Sequence, residues 1–418
     1  MAIWVGVDDT DSRKGGCTTY VAAVLLRRLG NVGVEVMGYP RLIRLNPNCP
    51  YKTRGNAAVA LKLDASDLDL VKRLTIKVVE EYSELDEGAE TGIILLRGEP
   101  PQKLREFYWK AVREIVPIEE AFVIAEDIGA EVVYYGDGKG LVGALAAIGA
   151  DLSPGKTYEL IAHRAREYWG MVRRVDPASI YEMDEATREY TFDNVDYETG
   201  DIKITPHTPC PVLLGIRGID PGVLKKAFEM LRIGEPVEYV TIFETNQATD
   251  VHYQRCRIRD LRDCLNAIVE GTVSEAPRRE IGGHVFFRIN DGEGELTCAA
   301  YEPTKSFRDI IMQLTPGDEV TVYGAVKLKP QGLTLNLEKI QVRKLARKMI
   351  SRPPLCPDCG KRMKSLGSGK GYKCRKCGKR VGKEAVDVVE VPRELQIGFY
   401  EVTPAARRHL VKPLDLSL

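Results

Sequence analysis

The sequence predicts a multidomain α/β and α+β protein that ends in two small modules. Three observations support this prediction. The chain has 418 residues, too many for one hydrophobic core and enough for about three or four domains. Its first part alternates apolar strand patterns with helix patterns across glycine-rich turns. Its last part holds closely spaced β-branched segments followed by two Cys-x-x-Cys pairs.

The composition indicates a globular protein, since 44% of the residues are apolar and 29% are charged. The longest apolar run, residues 141–150, has half of the roughly 20 residues that a membrane span needs. Residues 1–9 lack the basic region and apolar core of a signal peptide. We therefore expect a cytoplasmic protein with no membrane partner and no disulfide framework.

The first segment that carries chemistry is an acidic loop after an apolar strand, in WVGVDDTDSRKGGCTTY (residues 4–20). Asp8, Asp9 and Asp11 fall within four positions, and carboxylates this close raise each other's pKa unless a cation lies among them. Mg²⁺ prefers hard oxygen ligands and often binds one or two carboxylates together with nucleotide phosphates. The loop therefore predicts a magnesium site; the alternative is an acidic surface turn.

A helix pattern follows the acidic loop and runs from Thr18 to Leu29. Its N-terminus would present free backbone N–H groups beside the metal, which is a favourable place for a phosphate. Gly15 and Gly16 would let the chain approach that ligand closely. Thr18 is then either the helix cap or a hydroxyl that faces a phosphoryl donor.

Two further segments are typical of phosphate binding. One is a Pro/Asn/Gly-rich loop whose basic residues are Arg41, Arg44, Lys52 and Arg54. The other is a strand, a glycine turn and a helix, with Gly138, Lys139 and Gly140 at the turn. Residues 138–143 match the dinucleotide fingerprint G-x-G-x-x-G, but the next strand closes with His163 and Arg164 instead of an acid. We therefore expect a nucleoside triphosphate with Mg²⁺, held without a Walker motif.

Residues 191–252 are rich in turn residues and contain several polar side chains that could line a pocket for a cationic small molecule: Asp193, Asp196, Asn246, Asp250 and His252. Ordinary turn chemistry with a satisfied histidine explains the same pattern equally well.

Residues 267–342 contain five short strand patterns, with a short helical piece between the third and the fourth. This order is typical of an OB-fold, a small β-barrel that binds single-stranded nucleic acid. Four aromatic residues, Phe286, Phe287, Tyr301 and Tyr323, could stack on bases or fill the core.

The C-terminal cysteines Cys356, Cys359, Cys374 and Cys377 form two Cys-x-x-Cys pairs separated by fourteen residues. Four thiolates at this spacing complete a tetrahedral structural zinc site; two reduced redox pairs are the alternative. Residues 343–380 carry fourteen Lys/Arg and one acid, Asp358. A basic block beside an OB-fold and a zinc ribbon indicates RNA as the partner, unless the block is only a solvated charge run.

Taken together, these motifs resemble the archaeal tRNA 2-agmatinylcytidine synthetases over nearly the whole chain. Beyond the segments already quoted, the resemblance rests on TFDNVD, TPCPVLLGIRG, TNQATDVH, GGHVFFRI, CAAYEPTK and GFYEVTPAARRHLVKPL.

The resemblance implies the fold and the domain order. The expected units are a kinase-like N-terminal domain over residues 1–195, a ferredoxin-like domain over 196–265, an OB-fold over 267–345, a zinc ribbon over 350–382 and a C-terminal tail over 383–418. One domain could also be inserted into another between residues 57 and 265. The resemblance gives no oligomeric state.

It also implies the activity. Such enzymes attach agmatine to carbon 2 of the wobble cytidine in the isoleucine tRNA that reads AUA. They first phosphorylate the cytidine oxygen, and ATP is consumed to AMP and phosphate. A threonine after the acidic loop becomes phosphorylated in this family, and Thr18 occupies that place here.

The implied site residues follow the same motifs. The catalytic residues are Asp8, Asp9, Asp11 and Thr18, with the three aspartates as magnesium ligands. The ATP- and phosphate-binding residues are Gly15, Gly16, Lys52, Arg54, Gly138, Lys139 and Gly140. The agmatine-binding residues are Asp196, Cys210, Asn246 and His252. Two other functions compete with this one: a non-catalytic RNA-binding factor and, less favoured, a nicotinamide-dependent oxidoreductase.

Overall fold

A ten-stranded mixed sheet organises the N-terminal 245 residues of the computed structural model, which describes residues 2–153 and 155–416. The first half of this region supplies strands β1 (Ala2–Asp8), β2 (Glu35–Val36), β3 (Arg41–Arg44), β4 (Ala57–Asp64), β5 (Gly92–Arg97) and β6 (Glu131–Tyr134). Its helices are α1 (Thr18–Asn31), α2 (Leu68–Tyr82), α3 (Gln102–Arg113), α4 (Ile118–Asp127) and α5 (Gly140–Ile148).

Strand β1 lies in the middle of the first half, antiparallel to both β4 and β5. Its residues alternate between the two faces of the sheet. Ile3, Val5 and Val7 pack in the core under α1 and α2. Trp4 packs in the opposite core, against α3, α4 and α5. Because both faces of β1 are covered, its end at Asp8 is held rigidly between two helical layers.

The second half extends the same sheet with β7 (Thr157–Arg164), β8 (Thr191–Phe192), β11 (Val212–Gly218) and β12 (Val237–Thr245); β9 (Val195–Asp196) and β10 (Asp201–Ile202) form a separate small pair. Helices α6 (Pro177–Thr187) and α7 (Pro221–Glu229) pack on this half. A parallel pairing of β12 with β3 joins the two halves. The predicted boundary between residues 195 and 196 falls within β9, inside this second half.

The next unit is a closed barrel built from five strands: β14 (Asn266–Arg279), β15 (Val285–Asn290), β16 (Glu295–Ala300), β17 (Glu319–Lys329) and β18 (Gly332–Lys344). The pairing of β14 with β17 closes it, and the short helix α8 (Phe307–Ile311) follows the third strand. This is the predicted OB-fold order. Phe287 is buried in the barrel core, whereas Phe286, Tyr301 and Tyr323 keep part of their surface exposed. The short strand β13 (Gln254–Arg255) pairs with the start of β14.

The C-terminal unit contains the three-stranded sheet of β20 (Lys364–Ser365), β21 (Tyr372–Lys373) and β22 (Arg380–Val381), connected to the barrel by the pair of β19 (Lys348–Arg352) and β23 (Asp387–Val391). The chain then returns to the barrel, where β24 (Gly398–Glu401) pairs with β18. Residues 402–416, the return segment, continue back to the N-terminal half, where Leu410 joins the core beside α3 and α5. None of the helices in the described part of the chain combines the length and apolar character needed to cross a bilayer.

Candidate active site

The candidate site is a cavity of about 790 Å³ at the carboxyl end of β1. Both halves of the large sheet and the return segment contribute to its walls. The predicted site residues that line it are Asp8, Asp9, Asp11, Thr18, Lys52, Arg54, Lys139, Gly140 and Cys210. The structure therefore brings together three acids, one hydroxyl and several cations from segments that are far apart in sequence.

The acidic loop is ordered by hydrogen bonds to its own backbone and to the start of β5. The carboxylate of Asp8 accepts a hydrogen bond of 2.7 Å from the backbone N–H of Asp9. Asp9 has a positive φ of 55°, a conformation that few residues other than glycine adopt. Its carboxylate accepts a 3.2 Å bond from the N–H of Glu90, and its carbonyl accepts a 2.7 Å bond from the Thr91 hydroxyl. These contacts hold a sharp bend that turns the carboxylates toward the cavity.

Burial raises the pKa of all three aspartates, and repulsion by a neighbouring aspartate adds to the shift at Asp8 and Asp9. Burial, and then the charge of Asp9, raise the pKa of Asp8 well above its ordinary value. Burial raises the pKa of Asp9 to about 6; the N–H of Glu90 opposes the shift and the charge of Asp11 adds to it. Burial also raises the pKa of Asp11, although the nearby guanidinium of Arg54 opposes it. The ionised cluster is therefore unfavourable by itself, and a bound cation would relieve the repulsion.

Arg54 holds the acidic loop in place. Its guanidinium forms a 2.8 Å ion pair with Asp11 and donates to the backbone carbonyls of Ser12, Gly15 and Gly16 at 3.0, 2.7 and 3.0 Å. Gly16 has a φ of 73°, and an added Cβ there would meet the Glu84 side chain at 2.7 Å. Gly15 and Gly16 do not line the cavity, so these glycines shape the loop and present their carbonyls to Arg54.

Replacing Arg54 by lysine is expected to lower kcat about tenfold or more, because one ammonium cannot satisfy the same set of acceptors and charged hydrogen bonds are each worth about 1.5–3 kcal/mol. The KM values for substrates should change less than kcat if Arg54 acts by positioning the loop. Steady-state kinetics would measure this split, and Arg13→Lys, an exposed change in the same loop, is the matched control. An Arg54→Lys variant with unchanged kcat would contradict the assignment.

Helix α1 begins beside the aspartates. Its N-cap residue is Cys17, so Thr18 is the first helical residue and not the cap. The Thr18 hydroxyl is buried and accepts a 3.1 Å hydrogen bond from the hydroxyl of Thr10. The hydroxyl of Thr19 bonds Nε2 of His163 on β7 at 3.1 Å, which anchors the start of the helix to the second half of the sheet.

Acidification is expected to destabilise the protein through the buried histidines, most directly His163. Burial lowers the pKa of His163 to about 3 from 6.5, so the unfolded chain takes up a proton that the folded protein excludes. This contribution to stability is complete above about pH 6.5 and is lost as the pH falls toward about 3. Thermal unfolding at about pH 7.5 and about pH 5 should show a smaller drop for His163→Gln than for wild type. Equal drops would contradict this prediction.

Helix α5 approaches the acidic loop so closely that only glycine fits at the contact. A Cβ on Gly140 would lie 2.5 Å from the carbonyl oxygen of Asp8, and one on Gly143 would overlap the Asp8 carboxylate. Gly92 on β5 faces the backbone of Gly140 and Leu141 in the same way. The glycine pattern of residues 138–143 therefore brings a second helix N-terminus to the cavity. Gly138, with a φ of 75°, forms the turn but does not line the cavity.

The opposite wall contains charged residues that were not predicted from the sequence to belong to the site. Glu159 on β7 lies 3.5 Å from Arg44 and 3.6 Å from Arg217, and it accepts a 2.6 Å bond from Gln247. Lys203 and His409 also line the cavity. Glu159 and Arg217 could have been recognised from the sequence, because they are charged residues within strongly apolar strands. His409 could not be recognised in this way, since nothing in its local sequence places it beside Glu159, about 250 residues earlier in the chain.

Three of the four predicted agmatine ligands lie outside the cavity. Asp196 is fully buried, and its carboxylate accepts backbone N–H bonds from Glu198, Thr199 and Ala405. The side chain of Asn246 bonds the backbone N–H and C=O of Arg44, and so fixes the joint between β12 and β3.

His252 is also fully buried, and it stacks on Tyr253 with a centroid distance of 4.0 Å. Cys210 does line the cavity and receives a 3.3 Å hydrogen bond from the Thr208 hydroxyl.

The four C-terminal cysteines are arranged for one zinc ion. All four sulfur atoms lie within 4.8 Å of one another, and Sγ–Sγ distances of 3.4 Å join Cys356 to Cys377 and Cys359 to Cys374. A tetrahedron with Zn–S bonds of about 2.3 Å has sulfur atoms about 3.8 Å apart, so this set fits zinc. Gly360 and Gly378 have φ values of 67° and 80° and form the turns that directly follow the two Cys-x-x-Cys pairs.

Models of protein families match the chain along most of its length. The model of the TiaS TCKD domain matches residues 4–67 and 62–137, and that of the TiaS FLD domain matches residues 138–252. A model of an OB-fold nucleic acid binding domain matches residues 267–343, and that of the TiaS C-terminal zinc ribbon domain matches residues 353–395. The predicted fold class is thereby confirmed, including the OB-fold and the structural zinc ribbon.

Full-length relatives show the same similarity. The tRNA 2-agmatinylcytidine synthetase TiaS of Methanocaldococcus jannaschii is 45% identical over 425 residues, which cover 100% of this chain and 99% of that protein. The crystal structure of TiaS in complex with its isoleucine tRNA and ATP is 42% identical with a TM-score of 0.90, and covers 99% of this chain and 97% of that one. The crystal structure of TiaS with the same tRNA, AMPCPP and agmatine is 39% identical with a TM-score of 0.87, at the same coverage.

Proposed function

The chain belongs to the family of tRNA 2-agmatinylcytidine synthetases, as its motifs indicated, and we propose that it is an ATP-dependent carbon–nitrogen ligase acting on tRNA. It attaches agmatine to carbon 2 of the wobble cytidine of the AUA-reading isoleucine tRNA through a phosphorylated cytidine, with AMP and phosphate as the other products. The observation that carries this proposal is the meeting of three aspartates, Thr18 and two helix N-termini in one cavity.

Asp8, Asp9 and Asp11 would hold Mg²⁺. Their pKa values are raised by burial and, for Asp8 and Asp9, also by the charge of a neighbouring aspartate, and carboxylate oxygens are the ligands that Mg²⁺ prefers. When bound with ATP, the ion supplies charge neutralisation on the phosphoryl oxygens. The starts of α1 and α5 line the same cavity, and the N-terminal end of a helix favours a negatively charged phosphate. Lys52 and Lys139 add positive charge at the rim of the cavity.

Thr18 faces the site where phosphoryl transfer would occur. Its oxygen accepts a hydrogen bond from Thr10, so its own hydroxyl proton remains available for a carboxylate of the loop. We propose that ATP gives up two phosphoryl groups and becomes AMP, one going to the Thr18 hydroxyl, which later loses it to water as phosphate, and the other to the cytidine oxygen. Phosphorylation of the cytidine oxygen gives carbon 2 a leaving group; the agmatine amine then forms the new C–N bond there and phosphate departs.

The cavity wall around Cys210 is the proposed place for agmatine. Asp196, Asn246 and His252 do not line this wall: Asp196 and Asn246 are hydrogen-bonded to the backbone elsewhere, and His252 is buried against Tyr253. The target base must leave its stack to reach this wall, and the OB-fold and zinc ribbon would hold the tRNA meanwhile.

The two competing functions find less support. A non-catalytic RNA-binding factor does not explain three aspartates of raised pKa that line one cavity. A nicotinamide oxidoreductase would use the glycine pattern of residues 138–143 for its dinucleotide, but Gly140 and Gly143 are in direct contact with Asp8. We place the enzyme in the cytoplasm, where thiols remain reduced and can bind zinc.

The test is to incubate the purified protein with a transcript of the isoleucine tRNA, labelled agmatine, ATP and Mg²⁺. Label should enter the RNA only when ATP is present. A transcript with uridine in place of the wobble cytidine is the matched control and should stay unlabelled. Absence of label from the cytidine transcript, with protein that binds that transcript normally, would overturn the proposal.

A further inference from the structure

A second, smaller cavity of about 490 Å³ lies between the N-terminal half, the barrel and the return segment. The loop of residues 47–52 forms one wall, and strands β17 and β18 form the other. Cys49 and Lys52 line both this groove and the large cavity, so the two are neighbours. The groove therefore leads from the surface of the OB-fold toward the candidate active site.

The groove carries an excess of positive charge. Lys52, Lys327 and Arg408 line it together with one acid, Glu338. The charge of Glu338 is already neutralised by a partner, because Glu338 forms an ion pair with Arg408. It also accepts a 2.6 Å hydrogen bond from the Tyr253 hydroxyl.

The two lysines have no carboxylate within 4.0 Å among the described residues, and their hydrogen bonds are to carbonyl oxygens and a thiol: Lys52 to Pro47, and Lys327 to Asn48 and Cys264. Asp263 is the acid that faces Lys327 at longer range. Burial lowers the pKa of Lys52, and repulsion from the positive charges of Arg408 and Lys327 lowers it further. The side chain of Asn336 on β18 also lines the groove.

We infer that this groove binds a backbone phosphate of the substrate RNA close to the target nucleotide, with Lys327 as a principal contact. A phosphodiester carries one negative charge and several acceptor oxygens, which matches two ammonium groups that lack a carboxylate partner. RNA is favoured over the triphosphate of ATP as the source of that phosphate because half of the groove is made by OB-fold strands. The inference rests on the proposed function only in taking tRNA as the polyanion.

The test is to measure tRNA affinity as a function of salt for wild type and for Lys327→Gln, together with the KM values for tRNA and ATP. For Lys327→Gln we expect a roughly threefold to tenfold rise in Kd and KM for tRNA. The salt slope, which is the slope of log binding constant against log salt concentration, should be smaller in magnitude by about 0.7–1. The KM for ATP should not change. Lys327→Arg should restore the slope, and Lys103→Gln, at a lysine paired with Asp127 on the outer helices, should match wild type.

Asn336→Asp gives an independent arm, since it adds a negative charge to the groove with little change of shape. It should weaken tRNA binding at least as much as Lys327→Gln does. Wild-type tRNA affinity and salt slope in both variants would overturn the inference, as would a changed KM for ATP with unchanged tRNA binding. Binding can be measured without agmatine transfer, so failure of the proposed activity would be seen separately.

Discussion

Asp8→Asn is expected to lower kcat for agmatine transfer by about 10²- to 10³-fold and to leave tRNA affinity close to wild type. The change keeps the shape of the side chain but removes the charge nearest to α5, where the proposed Mg²⁺ would neutralise phosphoryl oxygens. The thermal midpoint should stay the same or rise, because burial and Asp9 make the ionised Asp8 unfavourable.

Steady-state kinetics, filter binding and thermal unfolding would check these three outcomes. Asp86→Asn, in the 3₁₀ turn that follows α2, is a matched control, since it removes a carboxylate that does not line the cavity. Normal transfer activity in Asp8→Asn would exclude a magnesium role for this residue. Lost activity with lost tRNA binding would indicate a general disturbance of the structure instead.

Gly92→Ala is expected to have the largest effect on stability. The new Cβ would overlap backbone atoms of Gly140 and Leu141, and backbone atoms cannot turn aside as a side chain does. Overpacking of this kind costs about 1–3 kcal/mol or more, which corresponds to roughly 2–12 °C in thermal midpoint for a unit of this size. Activity should also fall, because α5 would be pushed away from Asp8.

Gly30→Ala is the matched control. It lies within α1, and nothing stands within 4 Å of the position where its Cβ would be. Alanine should stabilise the helix there by about 0.5–1 kcal/mol. Differential scanning calorimetry of both variants would test the pair, and a Gly92→Ala midpoint equal to wild type would show that α5 can shift without cost.

The sequence was sufficient where the chemistry is local. The spacing of Cys356, Cys359, Cys374 and Cys377 predicts a tetrahedral set, and the structure has their sulfur atoms together. The strands and turns of the barrel follow from short-range alternation and Asp-Gly or Pro-Gly turns. The acidic loop is also recognisable, because three acids directly after a buried strand are hard to explain as an ordinary turn.

Long-range contacts could not be predicted from spacing. Arg54 looks like a phosphate ligand in sequence, but in the fold its guanidinium is directed at Asp11 and three carbonyls of a loop about 40 residues earlier. Asn246 and His252 have the polarity of ligands, yet their surroundings bury them outside the cavity. Distinguishing a ligand from a structural side chain requires knowing which distant segment packs against it.

The return segment has a consequence for the synthesis of the protein. Residues 402–411 reach the cavity and the core beside α3 only after the barrel and the zinc ribbon have been made, since translation proceeds from the N-terminus. A nascent or prematurely terminated chain therefore has the aspartates and Thr18 but lacks His409 and the anchoring Leu410. The part of the cavity wall that contains His409 is therefore synthesised last. A chain whose RNA-binding half is incomplete would lack this part of the site that uses ATP.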